Sequence, residues 1–249
     1  MHRIRMLILV DLETGRRHRV VGGGELLEVE GLGLISSERL VEGSVIRLAG
    51  RRFLVRRPLP EDVPKVLRRV AQFNSPTVNQ YMMMRAGVRS GSFVVEAGAG
   101  SGGLTVMVLW AIGKGGRLVS YEKRKEFAEV LKRNVKSLGL GDNWILKVED
   151  FGKASESGAD ALLVDLPQPW EYVDVIARVL RPGGRVCAHC MSAIQAWKTH
   201  TSLSDGPFAE VGTYEVLERP WVVDERRMRP EFEMLGHHGF VVCATRVGP

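Results

Sequence analysis

Four carboxylates and one glycine turn carry the chemistry of this sequence: Glu96, Glu122, Asp150 and Asp165, with Gly98, Gly100, Gly102 and Gly103. Gly98, Gly100 and Gly103 satisfy the spacing G-x-G-x-x-G, directly after the apolar run Phe93-Val-Val and directly before the apolar stretch from Leu104 to Ile112. Such a turn lets a ligand approach the backbone, and the unpaired amides of the helix that follows face it. The pattern indicates a nucleotide-type cofactor and does not choose among them. The acids favour one. A dinucleotide's pyrophosphate is disfavoured by a carboxylate at the base of the turn, where Glu96 stands. S-adenosylmethionine has no phosphate and carries a sulfonium and an ammonium group, which suit an acidic pocket. Glu122 follows the glycines by about 20 residues, the position from which a carboxylate accepts hydrogen bonds from ribose hydroxyls. A nicotinamide-dependent oxidoreductase is the rival reading of the same glycines.

Asp165-Leu-Pro-Gln-Pro-Trp170 is the second informative stretch. Its prolines fix the backbone just past an apolar run, and Trp170 offers a stacking face. It resembles the D/N-P-P-Y/W loops with which amino methyltransferases hold a flat nitrogenous group against the methyl donor.

The elements that must position these residues follow from periodicity. Strands are expected at 93–96, 117–121, 144–148, 161–165 and 185–189, and helices at 104–112, 125–138 and 172–179. This alternation predicts an α/β fold: a mostly parallel, Rossmann-like sheet with right-handed crossovers, each acid ending or following a strand. A helix at 192–203 and strands at 214–219 and 239–245, joined by a polar loop, predict an antiparallel hairpin at the sheet edge. Upstream, short β-like runs at 5–12, 16–21, 26–29, 45–48 and 53–56 are punctuated by glycines, among them Gly22-Gly-Gly24. They predict a small β-rich domain over 1–60, with Pro58 and Pro60 as linker and the catalytic domain over 61–249. Helices are expected over 61–71 and 78–87, with Ser75-Pro76 breaking the chain between them.

The chain of 249 residues is long enough for one large domain with a small one. No apolar run reaches the length of a membrane span. The net charge of +6, with basic clusters at 47–57 and 65–69, favours a polyanionic partner. Cys187 and Cys190 form C-x-x-C inside an expected strand, where residues three apart point to opposite faces, so buried free thiols are expected and no metal site. Three cysteines are too few for a disulfide framework, and a cytoplasmic location is expected.

The sequence resembles the tRNA (adenine-N1)-methyltransferase family. The resemblance lies in Glu96–Thr105, Tyr121-Glu-Lys-Arg124, Asp165–Trp170, the stretch Arg229–Phe240, and Glu42-Gly-Ser-Val-Ile with Gly50–Pro58 after it. It implies a class I S-adenosylmethionine-dependent enzyme that methylates N1 of adenine 58, and in some members 57, in the tRNA T-loop, releasing S-adenosylhomocysteine. It implies a homotetramer acting on tRNA. Carried over residue by residue, the glycine turn with Ser101 and Leu104 holds the methionine portion and Glu122 binds the ribose. Arg124 steadies the loop, Asp150 meets the adenine, and Asp165 is the catalytic residue. The chain departs from the family at Ser75-Pro-Thr-Val78, where members carry aromatic-Pro-Lys-Asp, so Gln72 and Ser75 stay outside the expected site. A non-catalytic RNA-binding subunit of the same fold, and a methyltransferase of small molecules or proteins, are the other readings.

Overall fold

A computed structural model describes residues 6–22, 24–70, 72–234 and 236–248. Arg5 at the start of the first expected strand, Gly23, Ala71 at the end of an expected helix, and Leu235 lie outside the described residues.

The N-terminal strands are β1 (Ile8–Asp11), β2 (Arg17–Val21), β3 (Leu26–Val29), β4 (Gly33–Ser36), β5 (Val45–Leu48) and β6 (Arg51–Arg56). They form an antiparallel sheet in the order β4-β3-β2-β1-β6-β5. Alternate residues such as Leu27, Val29, Phe53 and Val55 meet in its core, as a period of two dictates. Gly33-Leu-Ile-Ser36, absent from the sequence reading, forms β4 against β3.

Helix α1 covers only Val63–Val66, so the helix expected over 61–71 stops short. The cause is Asn134, whose side chain pairs with the peptide of Arg68: Arg68 N–H donates to Asn134 Oδ1 at 2.9 Å and Asn134 Nδ2 donates to Arg68 O at 2.8 Å. The backbone is thereby drawn out of the helix. α2 (Pro76–Arg85) begins two residues before the expected start: Ser75 is its N-cap, accepting from Val78 N–H at 3.2 Å, and Pro76 occupies the first turn.

Next come β7 (Phe93–Ala97), α3 (Gly103–Ile112), β8 (Arg117–Tyr121), α4 (Lys125–Ser137), β9 (Trp144–Lys147), β10 (Ala159–Val164), α5 (Val173–Val179) and β11 (Leu180–Cys190). α6 (Ala193–Asp205), β12 (Phe208–Glu215), β13 (Trp221–Asp224), β14 (Arg227–Pro230) and β15 (Phe240–Arg246) complete the chain. Seven of these strands make one sheet, β12-β15-β11-β10-β7-β8-β9, in which β11, β10, β7, β8 and β9 are parallel and β15 runs antiparallel to both neighbours. Two differences from the sequence reading lie near the end. β12 starts at Phe208 rather than Tyr214, and the expected polar loop contains the separate hairpin β13–β14.

The inner strands β7, β8, β10, β11 and β15 are buried on both faces. Val94, Leu118, Leu163 and Cys187 pack towards α2, α3 and α4, while Val95, Val119, Leu162 and Val186 pack with α5 and α6 residues. Burial on both faces is why these strands read as continuous apolar runs. Cys187 and Cys190 lie on opposite faces, and with Cys243 all three thiols are buried and free. Among the described residues no helix is long and apolar enough to cross a membrane. The chain enters the sheet at β7, steps outward through β8 and β9, and returns to β10 on the other side of β7. Strand order therefore reverses between β7 and β10, where ligands of such sheets lodge. Gly98 and Asp165 are the residues that leave those two strands.

Candidate active site

The turn after β7 is built from left-handed backbone, with φ of +89° at Gly98, +57° at Gly100 and +93° at Gly102. Gly98 also lies so close to the neighbouring strand end that a Cβ there would stand 2.2 Å from the Asp165 carbonyl oxygen. A Cβ at Gly102 would meet Leu131 at 2.5 Å, and one at Gly103 would meet the Phe73 ring at 2.6 Å. Gly98 and Ala99 N–H both donate to the Tyr121 carbonyl, at 2.9 and 3.0 Å, which fastens the turn to β8. Ser101 is buried; its hydroxyl accepts from Val70 N–H at 3.1 Å and its carbonyl accepts from Asn134 Nδ2 at 2.8 Å.

Glu96 lies beneath this turn, 1% exposed. Its Oε2 accepts from Thr105 of α3 at 2.8 Å and from Ser120 of β8 at 2.5 Å, while its buried Oε1 has no partner. Burial pushes the carboxyl up to about 7, against the opposing effect of the two hydroxyl donors.

Glu122 leaves β8 with both oxygens engaged. Oε1 accepts from Arg124 N–H at 3.0 Å and from Arg124 Nε at 2.8 Å; Oε2 accepts from Gly100 N–H at 2.9 Å and from Arg124 Nη2 at 3.0 Å. Burial raises its pKa, but the Arg124 guanidinium and the amide donors outweigh burial and hold it below the usual carboxylate range. Asp150 caps the short turn Phe151–Lys153, accepting from Gly152 N–H at 2.8 Å, with Lys123 Nζ 3.8 Å away and Tyr172 OH at 3.4 Å.

Asp165 is partly exposed, its carbonyl against Gly98 and its amide donating to the Ala97 carbonyl at 2.8 Å. Asn74 Nδ2 donates to its Oδ2 at 3.0 Å, and His189 Nδ1 lies 3.3 Å from its Oδ1. Pro167 and Gln168 follow it along the cavity wall, with the Pro167 carbonyl accepting from Gln195 Nε2 at 2.9 Å. Trp170 does not line the cavity; Lys198 Nζ stands over its ring at 4.9 Å, and Tyr172 supplies the aromatic wall instead.

Two adjoining cavities share Gly98, Arg124 and Asp165. The first, with an empty volume of about 690 Å³, is lined by Glu122, Glu149, Asp150, Leu166 and Tyr172 as well; the second, about 590 Å³, by Phe73, Asn74, Gly100, Ser101 and Leu104. The first cavity gathers the carboxylates of Glu122, Glu149, Asp150 and Asp165 against the cations Lys123 and Arg124. A cationic, phosphate-free ligand suits that balance. Of the residues expected from sequence, Gly98, Gly100, Ser101, Leu104, Glu122, Arg124, Asp150 and Asp165 line one cavity or the other. Glu96 and Gly102 lie behind the wall. Sequence reasoning missed Phe73, Asn74 and His189. Phe73 and Asn74 sit just before the departure at Ser75, the one local signal that could have drawn attention to them. Among the described residues no group of three or more His, Cys, Asp or Glu side chains is placed to hold a metal.

Comparison with known proteins adds a family, two relatives and two solved structures. Residues 58–241 match the family described as the tRNA methyltransferase complex GCD14 subunit. The chain is 31% identical to the tRNA (adenine(57)-N(1)/adenine(58)-N(1))-methyltransferase TrmI of Methanocaldococcus jannaschii, over 97% of this chain and 95% of that one. It is 29% identical to the tRNA (adenine(58)-N(1))-methyltransferase TrmI of Thermus thermophilus, over 86% of each. Among solved structures, a SAM-dependent O-methyltransferase of Thermotoga maritima superposes with a TM-score of 0.88 at 27% identity, covering all of this chain and 95% of that one. The tRNA (m1A58) methyltransferase TrmI of Aquifex aeolicus superposes with a TM-score of 0.77 at 20% identity, covering 100% and 99%, and supports the fold.

Proposed function

The chain belongs to the family of the tRNA methyltransferase complex GCD14 subunit, and from that membership we propose that it transfers a methyl group from S-adenosylmethionine to N1 of adenine 58 in the tRNA T-loop. The M. jannaschii relative is named for positions 57 and 58, which extends the proposal to the neighbouring adenine. The observation that carries the reading is the convergence of Glu122, Asp150 and Asp165 on one acidic cavity over the glycine turn.

The residues fit the donor. Positive-φ glycines leave a cradle that a Cβ would fill, the first cavity is net acidic, and Glu96 keeps a buried oxygen without a partner beneath the turn. In this reading the turn with Ser101 and Leu104 receives the methionine portion, Glu122 takes the ribose hydroxyls in exchange for Arg124 side-chain donors that hold it in this structure, and Asp150 takes the adenine. Arg124, shared by both cavities, steadies the loop beside Glu122. Glu96 and Gly102 shape the turn from behind. When bound, the donor supplies an electrophilic methyl on a sulfonium.

Adenine N1 has an in-plane lone pair and is neutral near pH 7, so the acceptor needs no strong general base. Asp165 accepts a hydrogen bond from the exocyclic amine, orients the ring and stabilises the positive charge that develops on it. N1 lies on the Watson–Crick edge, so the base must be extruded from the folded T-loop into the pocket. Phosphates are held by the basic clusters of the 1–60 domain, by Lys65, Arg68 and Arg69, and by Arg226, Arg227 and Arg229 of the β13–β14 hairpin. Homotetramer formation is supported by exposed apolar side chains on α6, on that hairpin and just after it, with Trp197 67%, Met228 70% and Phe232 82% exposed. We place the protein in the cytoplasm with its tRNA.

Incubation with unmodified tRNA and labelled S-adenosylmethionine, followed by nucleotide mapping, tests the reading. N1-methyladenine at position 58 is expected. Transfer only to small hydroxyl compounds would favour instead the activity named for the T. maritima structure.

A further inference from the structure

His189 stands on β11, two strands across the sheet from β7 and its glycine turn, with its side chain 1% exposed. Its Nε2 lies 2.8 Å from the His238 carbonyl and its Nδ1 3.3 Å from Asp165 Oδ1. A carbonyl only accepts, so Nε2 carries a proton. An ionised carboxylate also only accepts, so the contact at Nδ1 requires a second proton. Both contacts are made together by an imidazolium beside a carboxylate, whereas a neutral ring beside a carboxylate would turn a lone pair towards Oδ1. The close approach at Nε2 is built into the backbone: Gly239 has φ +85°, and a Cβ there would stand 2.5 Å from Nε2. On the other side of the carboxylate, Asn74 Nδ2 donates to Oδ2 at 3.0 Å.

We propose that His189 is a positioning residue for methyl transfer: with Asn74 it clamps the Asp165 carboxylate from both ends and so fixes the plane in which Asp165 meets the acceptor amine. The proposal rests on the reading of Asp165 as the acceptor-binding group. Each carboxylate oxygen has two lone pairs, so one per oxygen remains for the substrate after the clamp is made. Rotation of an unclamped carboxylate would misplace that acceptor, and alignment is where such a site has most to lose.

The clamp has a pH signature. The groups facing His189 are Asp165 from the loop after β10, and His237 and the His238 carbonyl from the segment before β15; Cys190, next to it on β11, points to the other face and acts on Asp165. Glu96 on β7 and Arg124 act on Asp165 from behind and from across the cavity. His237 is itself held by Glu215 Oε1 at 2.9 Å and the Met191 carbonyl at 3.2 Å. Burial pulls the His189 pKa down, but Asp165 and the His238 carbonyl outweigh it and leave the ring above its usual range. The clamp is complete while the ring holds its second proton and is lost as pH rises through the raised value.

The test compares wild type, His189→Leu and His189→Asn on unmodified tRNA from about pH 6 to about pH 9.5. Leu removes the donor; Asn keeps a donor near the place of Nδ1 and cannot titrate. Wild-type kcat should fall along a one-proton alkaline limb. His189→Leu should lose about 10- to 100-fold in kcat at neutral pH, with little change in KM for the cofactor. His189→Asn should recover most of that loss and lack the alkaline limb. An alkaline limb unchanged in His189→Asn, or wild-type kcat in His189→Leu, overturns the proposal. Nitrogen NMR of the labelled wild type, read without substrate, should show both ring nitrogens of His189 protonated at neutral pH, and a neutral ring in Asp165→Asn; a neutral wild-type ring also overturns it. If the wild type transfers no methyl to any tRNA, the acceptor reading is what has failed, and the NMR result stands apart from it.

Discussion

The Arg124 guanidinium spans both carboxylate oxygens of Glu122, with Nε on Oε1 at 2.8 Å and Nη2 on Oε2 at 3.0 Å. Together with the amides of Gly100 and Arg124 this fills all the lone-pair directions of a carboxylate that is 3% exposed. Breaking the pair leaves a buried charge with fewer donors. Arg124→Leu is therefore expected to cost about 1–2 kcal/mol at neutral pH, less than a fully buried pair because Arg124 is half exposed. The folded pKa of Glu122 is depressed, so its contribution is present above the unfolded carboxylate value and lost as pH falls through the folded one. The difference in thermal stability between variant and wild type should close in acid; a gap that stays constant down to about pH 3 would contradict this assignment.

Asp165 is the residue on which the proposed acceptor chemistry converges. Asp165→Ala should reduce methyl transfer by at least about 100-fold while tRNA affinity changes little, because the proposed phosphate contacts lie elsewhere. Single-turnover transfer and filter binding on one tRNA separate the two effects. Near-normal turnover would remove Asp165 from its role.

Glu96 makes an opposite pH prediction from Glu122. Its folded pKa, about 7, is raised above the unfolded value, so the fold favours the protonated form. Between the unfolded value and about 7 the native state binds the extra proton, and stability falls as pH rises through that window, by about 3 kcal/mol at most. Glu96→Gln keeps the acceptor for Thr105 and Ser120 and cannot ionise. The melting temperature of Glu96→Gln relative to wild type should rise between about pH 5 and about pH 8, and an unchanging difference would show that Glu96 does not titrate there.

Gly98 tests how close the two strand ends must lie. Alanine there must adopt φ near +89° and place its Cβ 2.2 Å from the Asp165 carbonyl oxygen. The positive φ alone costs about 1–3 kcal/mol, and the backbone clash must be relieved by moving Asp165. Gly98→Ala is expected to lose stability and to weaken transfer more than Gly15→Ala, whose φ is also positive but whose Cβ meets nothing within 4 Å. Equal losses in denaturant melts and equal turnover in the two variants would mean that backbone strain, not the approach to Asp165, sets the effect.

The parts of the candidate site that were legible in sequence are those carried by local pattern. The glycine turn, Glu122 and Asp165 each follow an apolar run, and a parallel sheet brings strand ends to one edge by topology alone. His189 was not legible, because in Arg185-Val-Cys-Ala-His-Cys190 it reads as one more strand residue and its partner lies 24 positions away. Asn74 lies 91 positions from the carboxylate it touches. The overextended helix at 61–71 failed for a similar reason: its apolar spacing is helical, but Asn134, 66 positions on, offers the Arg68 peptide a better partner. Trp221-Val-Val read as loop because charged residues surround it, yet β13 needs only β14 for a partner.

The basic surface makes the last prediction. Arg226, Arg227 and Arg229 lie on the β13–β14 hairpin, where Arg227 Nε pairs with Asp224 at 2.7 Å and Arg229 stacks over Phe232 at 3.8 Å from the ring centroid. Arg226 has its backbone amide bound to Asp224 at 3.0 Å. Its backbone position is therefore fixed by the turn, and its substitution tests charge more cleanly than that of Arg227. If Arg226 neutralises a tRNA phosphate, binding releases its counterion, and log Kd varies with log salt in proportion to the number of such contacts. Arg226→Gln should then weaken binding and reduce that slope by about one unit, with no change in which nucleotide is methylated. A wild-type affinity that is flat in salt would remove the basic surface from recognition, and an unchanged slope in Arg226→Gln would move the contact off this hairpin.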